Sequence, residues 1–424
     1  MIKRRDFIRI GGTVALAAAG VAKPQASEKL PLTGINEDKI QQLLKNVIPF
    51  GRQDYERRLQ TAHQLMSENQ IGAFFSEPGP TMQYFTGVNW WKSERTFGFL
   101  LFPDEKKPVW ICSAFELDRA RELIPASEEI RTWEENESPF VLIGKTISDY
   151  GQNTKLGLEP STRAFIIYGL AQETAGGLEL ADGSCISEGC RAVKSEQEIA
   201  CLEAANRITK LAYKEAFRKI KSGMTEQELA GYIREAHARF GVTGSGGPSF
   251  GPASSYPHGS RKKKSLEAGD VILVDGGCRV EGYSSDVTRS LVFGQASDKQ
   301  KRVWDIVRKA QIAGLKACRP GISCEEVDRA ARKVIEDAGF GPGYKYFSHR
   351  LGHGVGLEGH EYPYLVQGNK LKIQPGMTFS NEPGIYLTSE FGIRIEDCMV
   401  VTEDGARIMG GLEAVSLEEP FGQE

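Results

Sequence analysis

Apolar residues recur along the chain with two spacings, and the way the spacings alternate divides it in two. From about residue 35 to 180 they are mixed. Residues 54–68 carry the 3.6-residue spacing of an amphipathic helix, while residues 71–75, 96–102 and 108–112 are short runs of strand-forming residues. From Ser195 the signals sharpen. Ser195 and Glu198 form a capping box, and Ile199, Leu202, Ala205, Ile208, Ala212 and Ala216 keep one helical stripe, which Gly223 is expected to end. Thr225 with Glu228 caps a second helix that stops near Gly241. Glycine-rich loops and strands follow to about residue 293. The scheme then repeats: a helix over about 298–318, a break at Pro320-Gly321, a helix capped by Ser323 and Glu326, and strands to about residue 401.

The repetition extends to individual residues. Gly223-Met-Thr-Glu-Gln-Glu-Leu matches Gly321-Ile-Ser-Cys-Glu-Glu-Val, a shift of 98 from 223 to 321. Leu266-Glu-Ala-Gly-Asp-Val-Ile-Leu-Val-Asp275-Gly-Gly aligns with Ile373-Gln-Pro-Gly-Met-Thr-Phe-Ser-Asn-Glu382-Pro-Gly, a shift of 107 from 275 to 382. Each copy places an acid six residues after a turn glycine, and a second acid follows each: Asp286 after eleven residues, Glu396 after fourteen. A duplicated helix-helix-strand-strand unit, folded about a pseudo-twofold, would gather these four carboxylates at its centre. Like charges in a partly buried cleft repel and are penalised by desolvation, so they must be protonated or neutralised by cations. Two divalent ions balance the four negative charges.

The histidines agree with that reading. Of six, His258, His349, His353 and His360 fall between positions 258 and 360, the last three within twelve glycine-interleaved residues. His63 and His237 sit on expected helices and read as structural.

The ordered set Asp275, Asp286, His353, Glu382 and Glu396 resembles the five-ligand set of the pita-bread metallopeptidases, which include methionine aminopeptidase, aminopeptidase P and prolidase. The strings Tyr283-Ser-Ser-Asp286-Val-Thr-Arg289, Gly352-His353-Gly-Val-Gly-Leu-Glu-Gly-His360-Glu361, Asn381-Glu382-Pro-Gly384 and Gly392-Ile-Arg-Ile-Glu396-Asp397 are similar to those of its Xaa-Pro branch. The resemblance covers roughly residues 190–405. It implies an α+β fold: a pita-bread catalytic domain over 190–424, with a curved antiparallel sheet, preceded over 35–180 by a creatinase-type α/β N-terminal domain. It further implies that Asp275 holds one metal, His353 and Glu382 the other, and that Asp286 and Glu396 bridge them. Ions about 3.5–4 Å apart would activate a bridging hydroxide for attack on the Xaa-Pro bond at a peptide N-terminus, the work of an aminopeptidase or a dipeptidase. By the same resemblance Glu382 shuttles a proton, His258 and His360 stabilise the tetrahedral intermediate and touch the residue after the cleaved bond, His349 is a further substrate-side histidine, and Arg394 orients a carboxylate ligand. Four oxygen donors and one nitrogen favour Mn²⁺, with Co²⁺, Fe²⁺ and Zn²⁺ as alternatives. Gly359 departs from the pattern, which more often has a bulkier residue before this histidine. The branch also contains a dimethylsulfoniopropionate lyase and hydrolases of ectoine derivatives, the alternative reading. Its members are often dimers or tetramers, and a homodimer or homotetramer is expected here.

Composition narrows the field without choosing within it. Lys+Arg 53 against Asp+Glu 56 gives a formal charge of −3, so nucleic acid is not an expected partner, and a small peptide or small molecule is. None of the eight cysteines forms C-x-x-C. Lys3-Arg4-Arg5-Asp-Phe7-Ile-Arg9, followed by an uncharged run over residues 10–22, reads as a twin-arginine-like signal peptide spanning 1–26. The run is too short to span a bilayer, and the segment predicts periplasmic export. Trp90 and Trp91, beside a Gly87 turn, read as buried core or as a contribution to a substrate or subunit contact. Gly247-Pro-Ser249-Phe-Gly251 and Gly354-Val-Gly-Leu-Glu-Gly359 match hydrolase-elbow and dinucleotide patterns, but Pro248 and Pro363 oppose both. Lys262-Lys-Lys264 reads as a solvated loop.

Overall fold

Six short strands form the first sheet, in the order Ile130–Trp133, Val109–Ser113, Gly98–Leu101, Ala73–Ser76, Lys155–Leu158, Glu179–Asp182. The computed structural model describes residues 37–104, 106–150, 155–174 and 177–422, so the signal-like segment 1–26 lies outside the described residues. The three strands at 73–76, 98–101 and 109–113 are buried throughout, which is why they read as continuous apolar runs rather than alternating ones. Helix Arg52–Glu68 begins two residues before the sequence expectation. Asp54 belongs to its first turn, where its carboxylate accepts the Gly51 N–H at 2.7 Å.

The second lobe is built twice. Helices Glu196–Phe217 and Glu226–Arg239 precede the antiparallel strands Gly244–Phe250, Val271–Val280 and Val287–Val292. Helices Asp298–Ala317 and Cys324–Asp337 precede Gly352–Gly354, Glu361–Leu365, Thr378–Asn381 and Asp397–Val401. Ser195, Thr225, Ser297 and Ser323 head these helices, each with Glu or Gln closing a capping box. The duplication is visible in the backbone. Thr225 bridges Ser265 and Ser323 bridges Lys372, while Gly223 donates to Leu266 O and Gly321 to Ile373 O, both at 2.9 Å. First partners differ by the sequence shift of 98 and second partners by the shift of 107, so both meet in equivalent hydrogen bonds. Gly223 therefore does not end the helix before it, which stops at Phe217. Its left-handed φ of +77° sets up the backbone pairing instead. One strand beyond residue 401, Ala406–Ile408, was not expected from the pattern; it pairs with Asp397–Val401.

The two misleading motifs resolve as secondary structure. Ser249 lies inside strand Gly244–Phe250 opposite Leu273, and residues 354–359 lead into a strand, not a helix. In the lysine run, Lys263 pairs with Glu226 and Lys264 with Glu267 and Asp270. Among the described residues no helix is long and apolar enough to cross a membrane.

Behind the carboxylate strands lies a buried ionic layer. Asp397 is paired with Lys210 at 2.7 Å and Arg289 at 2.8 Å, and it accepts the Gln311 amide at 3.1 Å. Lys210 also donates to Met409 O and Gly411 O, and Arg289 to the carbonyls of Thr288, Glu396, Leu412 and Pro420. Removing one partner of such a group strands the others in a low-dielectric interior. Asp397→Ala is accordingly expected to lower the unfolding free energy by about 3–5 kcal/mol in urea melts. A loss below about 1 kcal/mol would show that the layer is not held by this carboxylate.

Candidate metal centre

Strand ends position the key side chains. Asp286 directly precedes strand Val287–Val292, Glu382 directly follows Thr378–Asn381, and Glu396 directly precedes Asp397–Val401. Asp275 stands opposite Thr288 in the ladder between Val271–Val280 and Val287–Val292. The glycines at the seam make this convergence sterically feasible. A Cβ on Gly277 would lie 2.1 Å from Ser285 O, and one on Gly352, beside His353, would lie 2.0 Å from Ser380 O. Neither position admits another residue without moving the backbone.

The structure brings Asp275, Asp286, His353, Glu382 and Glu396 into one cluster, with His360 beside them. Three overlapping triads offer donor atoms all within 4.8 Å of one another: Asp275, Asp286 and Glu396; His353, Glu382 and Glu396; and Asp286, His353 and His360. Asp286 and Glu396 each belong to two of these triads. His353 Nε2 lies 3.2 Å from Glu382 Oε1 and 3.7 Å from Asp286 Oδ2, while its Nδ1 faces Gly354 O at 3.1 Å. The carbonyl accepts a hydrogen bond from Nδ1–H, which leaves the Nε2 lone pair aimed at the carboxylates.

Arg394 is the cation of the cluster. Its Nη2 meets Asp275 Oδ2 at 2.7 Å, its Nε donates to the Thr288 hydroxyl at 3.0 Å, and its Nη1 reaches Pro257 O and the Tyr386 hydroxyl. Thr288 in turn lies 3.1 Å from Asp275 Oδ1 and 2.6 Å from Glu396 Oε2. Sequence reading passed over Thr288 and Tyr386. Thr288 could have been found, since it sits two residues from Asp286 on a strand. Tyr386 carries no such signal.

His349 stands at the edge of the cluster, its Nδ1 3.8 Å from Glu382 Oε2. The same Nδ1 faces Arg350 O and its Nε2 the Tyr386 hydroxyl, both at 2.8 Å. His258 is exposed and close enough for its charge to bear on both His349 and His360. Trp90 and Trp91 are not brought to the cluster. Trp90 is buried between Phe97 and Trp91, and Arg119 lies over Trp91, which is 44% exposed.

One arginine cannot compensate four acids. Burial, then the neighbouring acids, push Asp286 and Glu396 well above the usual carboxylate range. Burial, opposed by Arg394, lifts Glu382 to about 7. Burial likewise keeps His353 neutral and ready to ligate. Carboxylates forced toward protonation beside an oriented, neutral imidazole are the donor set that divalent cations stabilise.

A duplicated lobe with such a centre between its halves defines a metal-dependent hydrolase. Comparison with known proteins places it: residues 200–403 match the metallopeptidase family M24, and residues 58–193 match the creatinase/prolidase N-terminal domain. The chain is 35% identical over 347 residues to an Xaa-Pro dipeptidase of Lactobacillus helveticus, covering 80% of this chain and 93% of that one. It is 31% identical over 361 residues to the Xaa-Pro dipeptidase of Pyrococcus furiosus, covering 83% and 97%. Among solved structures, a dipeptidase from Mycobacterium ulcerans superposes with a TM-score of 0.80 at 30% identity, over 85% of this chain and 97% of that one. The chain belongs to metallopeptidase family M24, whose members work with paired divalent metal ions.

The raised carboxylates set a pH dependence. Glu382 has a folded value of about 7 against an ordinary value near 4.5, so metal-free protein gains stability from the bound proton at low pH and loses it as pH rises through 7. At pH 6.5 a histidine that the fold keeps neutral is half charged in the unfolded chain and opposes the acids, so Glu382→Gln, which keeps every histidine, serves as the reference. From pH 6.5 to 8 the metal-free wild type should lose more melting temperature than metal-free Glu382→Gln. Added Mn²⁺ should raise the melting temperature more at pH 8, because binding needs deprotonated ligands. Equal metal-induced shifts at both pH values would contradict the assignment.

Proposed function

We propose that this protein is a Mn²⁺-dependent Xaa-Pro dipeptidase that splits the bond before proline. The observation that carries this reading is the complete cluster of Asp275, Asp286, His353, Glu382 and Glu396 in a chain that matches proteins named Xaa-Pro dipeptidase over almost their whole length. Asp275 would hold one ion, His353 and Glu382 the other, with Asp286 and Glu396 shared between them. When bound, the metal pair supplies Lewis acidity that acidifies water and polarises the scissile carbonyl.

The chain's own groups then have defined tasks. Glu382, whose Oε1 stands 3.2 Å from His353 Nε2 in the cluster, takes the proton of the attacking water at Oε and returns it to the proline nitrogen as the bond breaks. His258 and His360, both exposed, offer ring nitrogens to the developing oxyanion and to the substrate carboxylate. Arg394, fixed by Thr288 and Tyr386, holds Asp275 in place. His349 buttresses Tyr386 from behind and acts as a positioning residue.

The test is a substrate panel with Mn²⁺: Xaa-Pro dipeptides, longer Xaa-Pro peptides, dimethylsulfoniopropionate and acetylated diamines. Dipeptide cleavage should dominate, vanish in chelator, and fall about 10²–10⁴-fold in kcat in Glu382→Gln. Turnover of the small molecules alone would replace this reading with the lyase or amide-hydrolase alternative. The Arg4-Arg5 segment supports export in a folded state. Changing both arginines to lysine should leave the precursor inside the cell on fractionation, and unchanged export would remove the twin-arginine reading.

A further inference from the structure

We propose that His360 is itself a ligand of the metal centre in the substrate-free protein, completing an ion together with Asp286 and His353. The inference rests on the metal-centre reading above and is independent of which peptide is cleaved.

Three distances support it. His360 Nε2 lies 3.9 Å from Asp286 Oδ2, and His353 Nε2 lies 3.7 Å from the same oxygen. The donor atoms of all three residues fall within 4.8 Å of one another. Nitrogen and oxygen donors that sit about 2.0–2.2 Å from one ion stand about 3–4.2 Å apart, so both separations suit a shared cation. The imidazoles are stacked, with ring centroids 3.7 Å apart and planes 23° apart.

Packing alone does not account for this placement. The His360 side chain is 60% exposed, so stacking shields little of it, and most orientations open to an exposed histidine would turn the ring into solvent. Gly359, the residue before it, does not force the placement: its conformation does not require glycine, and a Cβ there would meet nothing within 4 Å. A second imidazole gives one ion two nitrogen donors, so that ion takes Co²⁺ readily as a spectroscopic probe. The same side chain then serves twice: as a ligand at rest, and as a substrate contact once released.

Titration of the metal-free full chain with Co²⁺ tests this, followed by calorimetry and by the visible absorption of bound Co²⁺. His360→Ala is compared with His258→Ala, an exposed histidine of the same cleft outside the triads. Losing a supporting group of a metal site costs about 10–100-fold in affinity, and loss of a ligand should cost at least as much at one of the two sites. His360→Ala should show that weakening together with an altered visible spectrum, while His258→Ala keeps the wild-type affinity and spectrum. The exposure of His360 makes the substitution harmless to folding, and a thermal melt of the metal-free variant verifies this. Wild-type affinity and spectrum in His360→Ala would overturn the proposal. Protein that binds Co²⁺ through His360 but cleaves no Xaa-Pro dipeptide would sink the substrate assignment and leave this one standing.

Discussion

Mutual repulsion among four crowded, partly buried acids is the constraint to which the rest of this molecule answers. Asp275, Asp286, Glu382 and Glu396 come from both halves of one lobe, and the Arg394 guanidinium lies among them. Without more positive charge the cluster can exist only by holding protons, as the raised carboxyls of Asp286, Glu382 and Glu396 show. A pair of divalent ions relieves that strain. The energy stored in crowding the acids is what makes the pocket a strong metal site and a poor site for anything neutral.

Holding the acids in place requires rigid backing. Asp397 follows Glu396 directly and is clamped by Lys210 and Arg289, while Asn381, just before Glu382, donates to Gln311 O, whose side chain also meets Asp397. Glu382 and Glu396 are therefore each gripped through the residue beside them. The His353–His360 loop is fixed in a similar way at its end. Glu361 pairs with Lys194 and Arg191, and Arg191 also contacts Thr81 of the N-terminal lobe. The loop that bears two histidines is thereby tied to the segment joining the lobes.

Most of the architecture could be read along the chain because its signals are local. Capping boxes at Ser195, Thr225 and Ser323 depend on residues three apart, and the twin shifts of 98 and 107 residues need only the letters. Where the reading missed, the cause was distant. Gly223 looked like a helix stop but is held by Leu266, more than forty residues away. Tyr386 as the partner of His349 was equally out of reach, since it comes from 37 residues further along the chain. Thr288 and Tyr386 entered the site only because strands from opposite halves carry them to Arg394.

The sequence by itself determined the repeated helix-helix-strand-strand unit, the identity of the acids and histidines, and the charge problem they pose, since periodicity, capping and residue chemistry are carried by near neighbours. Tertiary structure alone decided which oxygens face which nitrogens, that Arg394 is held by Thr288 and Tyr386, and that His360 stacks on His353. Those facts follow from folding one half of the lobe against the other, and no local pattern encodes the register in which two distant segments meet.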